Sequence, residues 1–236
     1  MSGTLFLVGV GPGDPDLITL KAARLLAMVP VIAYPQTGEG AALAREIAAP
    51  HLNPAALHIP VDLPMSTDRA PAQQAYDGAA MRILAQLAAG RDVAWLTEGD
   101  PLFYGSAMYL VARIAASAPV RVIPGITALT AAAAAINRPL AARNETLKVL
   151  PAPLDDETLR RELADAPAVA IIKVGRHFDR IRALLETTGH AASAMVVEHA
   201  TTPRQRITPL RAFAHDERPY FSTILCYRGA EAWATP

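Results

Sequence analysis

The stretch Glu98-Gly99-Asp100-Pro101-Leu102-Phe103-Tyr104-Gly105-Ser106 places two glycines, a proline and a carboxylate between a short apolar run at 93–96 and a helical-looking run at 107–116. Glycines let a backbone approach a ligand closely, and such a loop after a buried strand is where open α/β sheets hold small molecules. A second loop of this kind, Gly9-Val10-Gly11-Pro12-Gly13-Asp14, follows the apolar run 5–8. Two such loops predict a cleft with a bound small molecule.

The first loop departs from the dinucleotide fingerprint, which needs glycines at relative positions one, three and six and an acid closing the second strand. Gly9 and Gly11 fit, but Asp14 takes the sixth position, and Tyr34-Pro35-Gln36 stands where the acid belongs. Pro12 also removes an amide that could cradle pyrophosphate. A nicotinamide-dependent oxidoreductase is therefore the alternative from another class. A tight turn after the first strand explains the glycines but not Asp14.

These loops need a sheet to position them. Apolar or β-branched runs at 5–10, 31–33, 57–61, 93–96 and 120–123 alternate with helix-like segments at 19–28, 41–49, 71–89 and 106–116. Met81, Leu84 and Leu87 recur at helical spacing. The alternation predicts a parallel sheet with crossover helices. Beyond Pro124-Gly125, an alanine-rich helix at 127–136 with Thr127 at its cap leads into runs at 147–150, 168–174, 194–197, 205–208 and 220–227. Two later connections are too short for helical crossovers, so part of the second sheet is expected to be antiparallel. The expected fold is α/β with two domains, 1–122 and 123–236, an active-site cleft between them, a mostly parallel first sheet and a mixed second one. Segment 62–70, with Pro64, Ser66, Thr67 and Asp68, reads as a mobile loop.

At 236 residues, 52% hydrophobic and 19% charged, the chain has material for real cores. Its formal net charge of zero argues against nucleic acid as the main partner. The 19 arginines against 3 lysines suit an anionic ligand held by bidentate forks, and equally reflect a GC-rich genome. The single cysteine, Cys226, excludes a disulfide framework or multi-cysteine metal site and sits in an apolar run as a structural thiol. The six histidines lack metal-ligand spacing, so no metal is expected. No signal-like amino terminus and no apolar run near the roughly 20 residues of a membrane span is present, which points to the cytoplasm and to no membrane partner.

Val8-Gly9-Val10-Gly11-Pro12-Gly13-Asp14-Pro15, followed by Leu17-Ile18-Thr19-Leu20-Lys21-Ala22, resembles the opening signature of the tetrapyrrole methylases. Residues 98–105 resemble their second signature, and Ile123-Pro124-Gly125-Ile126-Thr127-Ala128 their third. The motifs are ordered and spaced as in that family, and the resemblance covers essentially the whole chain. Phe103-Tyr104-Gly105-Ser106 with Met108-Tyr109-Leu110 looks most like the branch that methylates carbon 20 of precorrin-2 or its cobalt-bearing counterpart. Siroheme-forming members usually carry Phe-Gly-Arg in place of Tyr104-Gly105-Ser106.

The resemblance implies S-adenosyl-L-methionine as methyl donor, contacted at Pro12, Glu98, Gly99, Asp100, Phe103, Thr127, Ala128, Val174 and Ala200. Where the family often has Tyr-Met-Gly, this chain has Lys173-Val174-Gly175. A zwitterion beside a sulfonium wants amides for its carboxylate and acceptors near its cation, which these loops offer. Asp100 can equally be a loop-closing acceptor for nearby amides. The implied substrate is a polycarboxylate tetrapyrrole, with Asp14, Tyr34 and Arg143 as candidate contacts and Arg138, Lys148, Arg176, Arg204 and Arg206 as further cations near the motifs. Asp14, Glu98 and Tyr104 are the candidates for any proton acceptor, since an electron-rich carbon and a sulfonium leaving group need mainly alignment. Family members are commonly homodimers, so the resemblance implies one here. Rival readings are another corrin-ring position, a ribosomal-RNA or translation-factor methylase, or a non-catalytic tetrapyrrole carrier.

Overall fold

In a computed structural model of the chain, the described residues are 2–38, 42–64, 69–214 and 221–230. Two compact units form, Met1–Thr127 and Ala128–Pro236. The core of the loop read at 62–70, residues 65–68, lies outside the described residues, as do Ala41 and Tyr220 at the edges of two expected elements.

The first unit carries β1 (Leu5–Gly9), α1 (Leu20–Leu26), β2 (Val31–Gln36), α2 (Leu43–Ala48), β3 (Leu57–Asp62), α3 (Arg69–Ala88), β4 (Val93–Thr97), α4 (Met108–Ile114) and β5 (Val120–Ile123). The strands form one sheet in the order β3-β2-β4-β1-β5. Every pairing in it is parallel. Side chains alternate between faces along each strand. Leu5, Leu7, Val31, Ala33, Val93 and Trp95 pack under α3 and α4, with Tyr76, Ile83, Leu87, Leu110 and Ile114. Val8, Ile32, Ala94 and Leu96 pack on the opposite face under α1 and α2, with Ala22, Leu26, Ala44 and Ile47. Connections that step one way along the sheet thus lie on one face and those stepping back lie on the other, as right-handed crossovers demand. Central β1 and β4 send their chains in opposite directions, so their carboxyl ends are the switch point where such sheets leave room for a ligand.

The second unit carries α5 (Ala128–Ala135), β6 (Leu147–Pro151), α6 (Asp156–Ala164), β7 (Ala168–Ile172), α7 (Phe178–Thr187), β8 (Met195–Glu198), β9 (Arg206–Pro209) and β10 (Ser222–Tyr227). Its sheet runs β6-β7-β10-β8-β9. Only β6 with β7 is parallel, while β10 pairs antiparallel with β7 and β8, and β8 with β9. The mixed second sheet is as expected. Helices α6 and α7 were not anticipated, although their signals are local. Asp155 caps α6 by accepting from the Thr158 amide at 2.8 Å, and Leu159 and Leu163 repeat at i, i+4 toward the core. Phe178, Ile181, Leu184 and Leu185 form the buried stripe of α7.

Helix α5 ends where Asn137 adopts a left-handed φ of 49° and the Arg138 amide donates back to the Ala133 carbonyl. This is a Schellman-type stop with Asn in place of glycine.

Candidate functional site

The three glycine-bearing motifs meet inside the first unit. Gly9 ends β1, Gly99 follows β4 and Gly125 follows β5, and they pack backbone against backbone. A Cβ on Gly125 would lie 2.1 Å from the Gly99 carbonyl oxygen, and one on Gly9 would lie 2.6 Å from that same oxygen. Neither can be relieved by turning a flexible side chain. The Gly99 amide donates to the Gly11 carbonyl at 2.8 Å, and Gly11 and Gly99 have φ of 83° and 66°, conformations that side chains disfavour.

Asp100 ties this junction together. One carboxylate oxygen accepts from the Gly125 amide at 3.0 Å and the other from the Leu102 amide at 2.9 Å. Both oxygens thus serve the loop, which is the loop-closing role set out for Asp in such turns. Glu98 is half-buried and accepts from the Ala44 amide in the first turn of α2 at 3.2 Å. Ala42, the local cap position, offers no side chain for this, so a residue 54 positions away supplies the cap. Burial pushes the Glu98 carboxyl above its usual range, and the accepted amide bonds offset part of that. Asp14 caps the 3-10 turn Pro15–Leu17 and accepts from the Asp16 amide at 2.9 Å.

Beyond Asp100 the loop turns outward. Phe103 is half-buried, and Tyr104 meets it edge-on at a centroid distance of 5.1 Å. Tyr104 is 43% exposed at a φ of 55°. Thr127 immediately precedes α5, whose first residue is the exposed Ala128. The remaining sequence candidates lie on other segments of the chain. Tyr34 is 7% exposed within the core, with His58 edge-on to its ring. In the second unit, Arg143 is exposed in the connection between α5 and β6, Val174 is fully buried just after β7, and Ala200 lies half-buried in the turn after β8.

Several of the named cations hold the second unit together. Arg138 is buried and donates to the Ser193 and Leu225 carbonyls, each at 2.8 Å. Lys148 pairs with Glu162, and Arg206 lies 3.6 Å from the fully buried Glu198. Cys226 is buried with its thiol pushed up to about 12 by desolvation, as a structural thiol should be. Among the described residues, no helix is long and apolar enough to cross a membrane.

The family model of the Tetrapyrrole (Corrin/Porphyrin) Methylases matches residues 4–214, and the chain belongs to that family. It is 41% identical to the precorrin-2 C(20)-methyltransferase of Sinorhizobium sp over 231 residues, 94% of each chain. It is also 41% identical to the cobalamin biosynthesis protein CobIJ of Mycobacterium tuberculosis, covering 94% of this chain but only 46% of that longer protein. The uroporphyrin-III C-methyltransferase of Thermus thermophilus, solved with S-adenyl homocysteine, superposes with a TM-score of 0.71 at 26% identity, covering 95% of this chain and 97% of the other. The resemblance carried by the three motifs is therefore borne out at the level of family and fold.

The converging loops suit a donor recognised mainly by backbone. They offer small residues, left-handed glycines and the Thr97 hydroxyl, buried at the end of β4 with no partner among the described residues. The Tyr76 hydroxyl bound to Ser106 and the Ala44 amide bound by Glu98 escaped sequence reading. Both pairings join residues 30 or more positions apart.

Proposed function

We propose that this chain transfers a methyl group from S-adenosyl-L-methionine to carbon 20 of precorrin-2 in cobalamin biosynthesis. The observation that carries the reading is the 41% identity, over 94% of both chains, to the Sinorhizobium enzyme of that name. The Tyr104-Gly105-Ser106 tail of the second motif agrees with it. The alternative substrate is the cobalt-bearing counterpart, with other corrin-ring positions next. The enzyme is assigned to the cytoplasm, as a homodimer without nucleic-acid or membrane partners; sedimentation of the purified protein tests the dimer.

We assign donor contacts to Pro12, Glu98, Gly99, Asp100, Phe103, Thr127 and Ala128, and further ones to Val174 and Ala200. The donor, when bound, supplies an electrophilic methyl on a sulfonium. Asp100 holds the Gly125 amide and the 100–102 turn in one arrangement, so the backbone that receives the donor is preorganised. Glu98 supports it by fixing the start of α2. Tyr104 presents its ring to solvent beside the junction, and we assign it to the tetrapyrrole, with Asp14 and Arg143 as further contacts. Among Asp14, Glu98 and Tyr104 as proton acceptors, both carboxylates already accept from backbone amides.

Methyl-labelled S-adenosyl-L-methionine is incubated with the protein and with precorrin-2 or its cobalt form, and the label is located by NMR. Label at carbon 20 is expected. Label at another carbon moves the assignment to that position, and transfer to neither macrocycle overturns it.

A further inference from the structure

Helix α3 carries one phenol whose ring and hydroxyl do different things. The Tyr76 ring is 2% exposed and packs against Trp95 at 6.2 Å and Tyr109 at 5.3 Å between centroids. A phenylalanine would fill this place equally well. The hydroxyl donates to the Ser106 Oγ at 2.5 Å, and a buried phenol needs such a partner. Desolvation raises the Tyr76 phenol above its ordinary value, so it remains a donor at neutral pH.

Ser106 is the far end of the outward loop. The near end is pinned by Asp100 on the Leu102 amide, and Gly105 is pressed so closely on Pro101 that a Cβ would come within 2.5 Å of its carbonyl oxygen. Between these points Tyr104 occupies the left-handed region, a strained conformation for a side-chain-bearing residue that persists only where its surroundings impose it. The Tyr76 hydroxyl ties the downstream end of that segment to the rigid face of the sheet under α3 and α4.

We propose that Tyr76 is a positioning residue for substrate specificity: by holding Ser106 it fixes the backbone that presents Tyr104 to the tetrapyrrole, without touching the methyl donor. This rests on the methyltransferase reading above. Its consequence is a separation of substrate from donor: loss of the tie should loosen the substrate-facing half of the loop and leave the Asp100-centred half intact.

Steady-state methyl transfer to precorrin-2 is measured for the wild type, Tyr76→Phe, Ser106→Ala, Ser106→Thr and the Tyr76→Phe/Ser106→Ala double variant. S-adenosyl homocysteine affinity is read by calorimetry in parallel. Either single variant is expected to raise the tetrapyrrole KM about tenfold, as befits one lost hydrogen bond, with S-adenosyl homocysteine binding within about twofold of wild type. Ser106→Thr, which keeps the hydroxyl, should restore most of the KM. The double variant should match the singles, because both remove the same bond. An unchanged KM in both singles, additive effects, or donor-product affinity falling in step with KM overturns the assignment. If Tyr76→Phe does not fold, the Ser106 pair decides alone. No transfer by the wild type overturns the functional reading and this assignment with it, whereas transfer with an unaltered KM in the variants overturns this assignment only.

Discussion

The carboxyl edge of the parallel sheet and the interior of the mixed sheet are built on opposite principles. At the first, Gly9, Gly99 and Gly125 abut with no side chain between them, and the polar groups present, Asp100 and Glu98, serve backbone amides. In the second unit, long charged side chains make the cross-links: buried Arg138 bonds two carbonyls, Arg180 bonds Asp156 and the Ala152 and Leu154 carbonyls, and exposed Arg206 faces the buried Glu198. A region that must receive a ligand by its backbone keeps its side chains short. Where the interior of a sheet must be cross-linked, long side chains can do it. The first should therefore fail when atoms are added, and the second when they are removed.

The largest expected effect is Gly125→Ala. With a backbone oxygen 2.1 Å from the new Cβ, the junction must open, at a cost of at least about 3 kcal/mol by urea denaturation. Tolerance within 1 kcal/mol would mean that the three loops are not locked together. Arg138→Met comes next in the second unit, leaving the Ser193 and Leu225 carbonyls without donors and losing roughly 2–4 kcal/mol. A neutral outcome would erase the contrast between the units.

Acid and base should also act on the two regions with opposite sign. Glu98 has a raised pKa when folded, so it favours the folded state below the ordinary carboxyl value of 4.5 and loses that contribution as pH rises through the folded value. His190 is fully buried, and desolvation lowers its pKa. As pH falls below 6.5, the unfolded chain takes up a proton that the buried ring resists, and stability drops. Denaturation midpoints measured across this range should lose the first dependence in Glu98→Gln, which keeps an acceptor for the Ala44 amide, and the second in His190→Asn. The smallest effect is expected at Gly78→Ala in α3, where a Cβ meets nothing within 4 Å, with a gain of about 0.5–1 kcal/mol from helix propensity.

Much of this was legible in the residues. The strand runs at 5–10 and 93–96 match the observed β1 and β4 to within one residue, and the glycine loops fall at their carboxyl ends as the α/β alternation required. The three motifs identified the family, because ordered loops of rare composition survive as local patterns. Helices α6 and α7 carry equally local signals, a capping Asp155 in α6 and a buried stripe in each. The partners could not be read in this way. Tyr34, expected at a strand end but lying within β2, offered no sign that its ring turns into the core, and the cations near the motifs offered none that Arg138 is consumed by two carbonyls.

The sequence by itself determined the alternation of strands and helices, the loops that end them and the kinship of the chain, since each depends on residues within a few positions of one another. Only the tertiary structure decided that Gly125 presses on Gly9 and Gly99, that Glu98 caps a helix 54 residues upstream, and that Tyr76 holds Ser106 across 30 residues. Those pairings follow from strand order and crossover direction, which bring distant segments to one edge of the sheet and leave no trace in the spacing of the residues concerned.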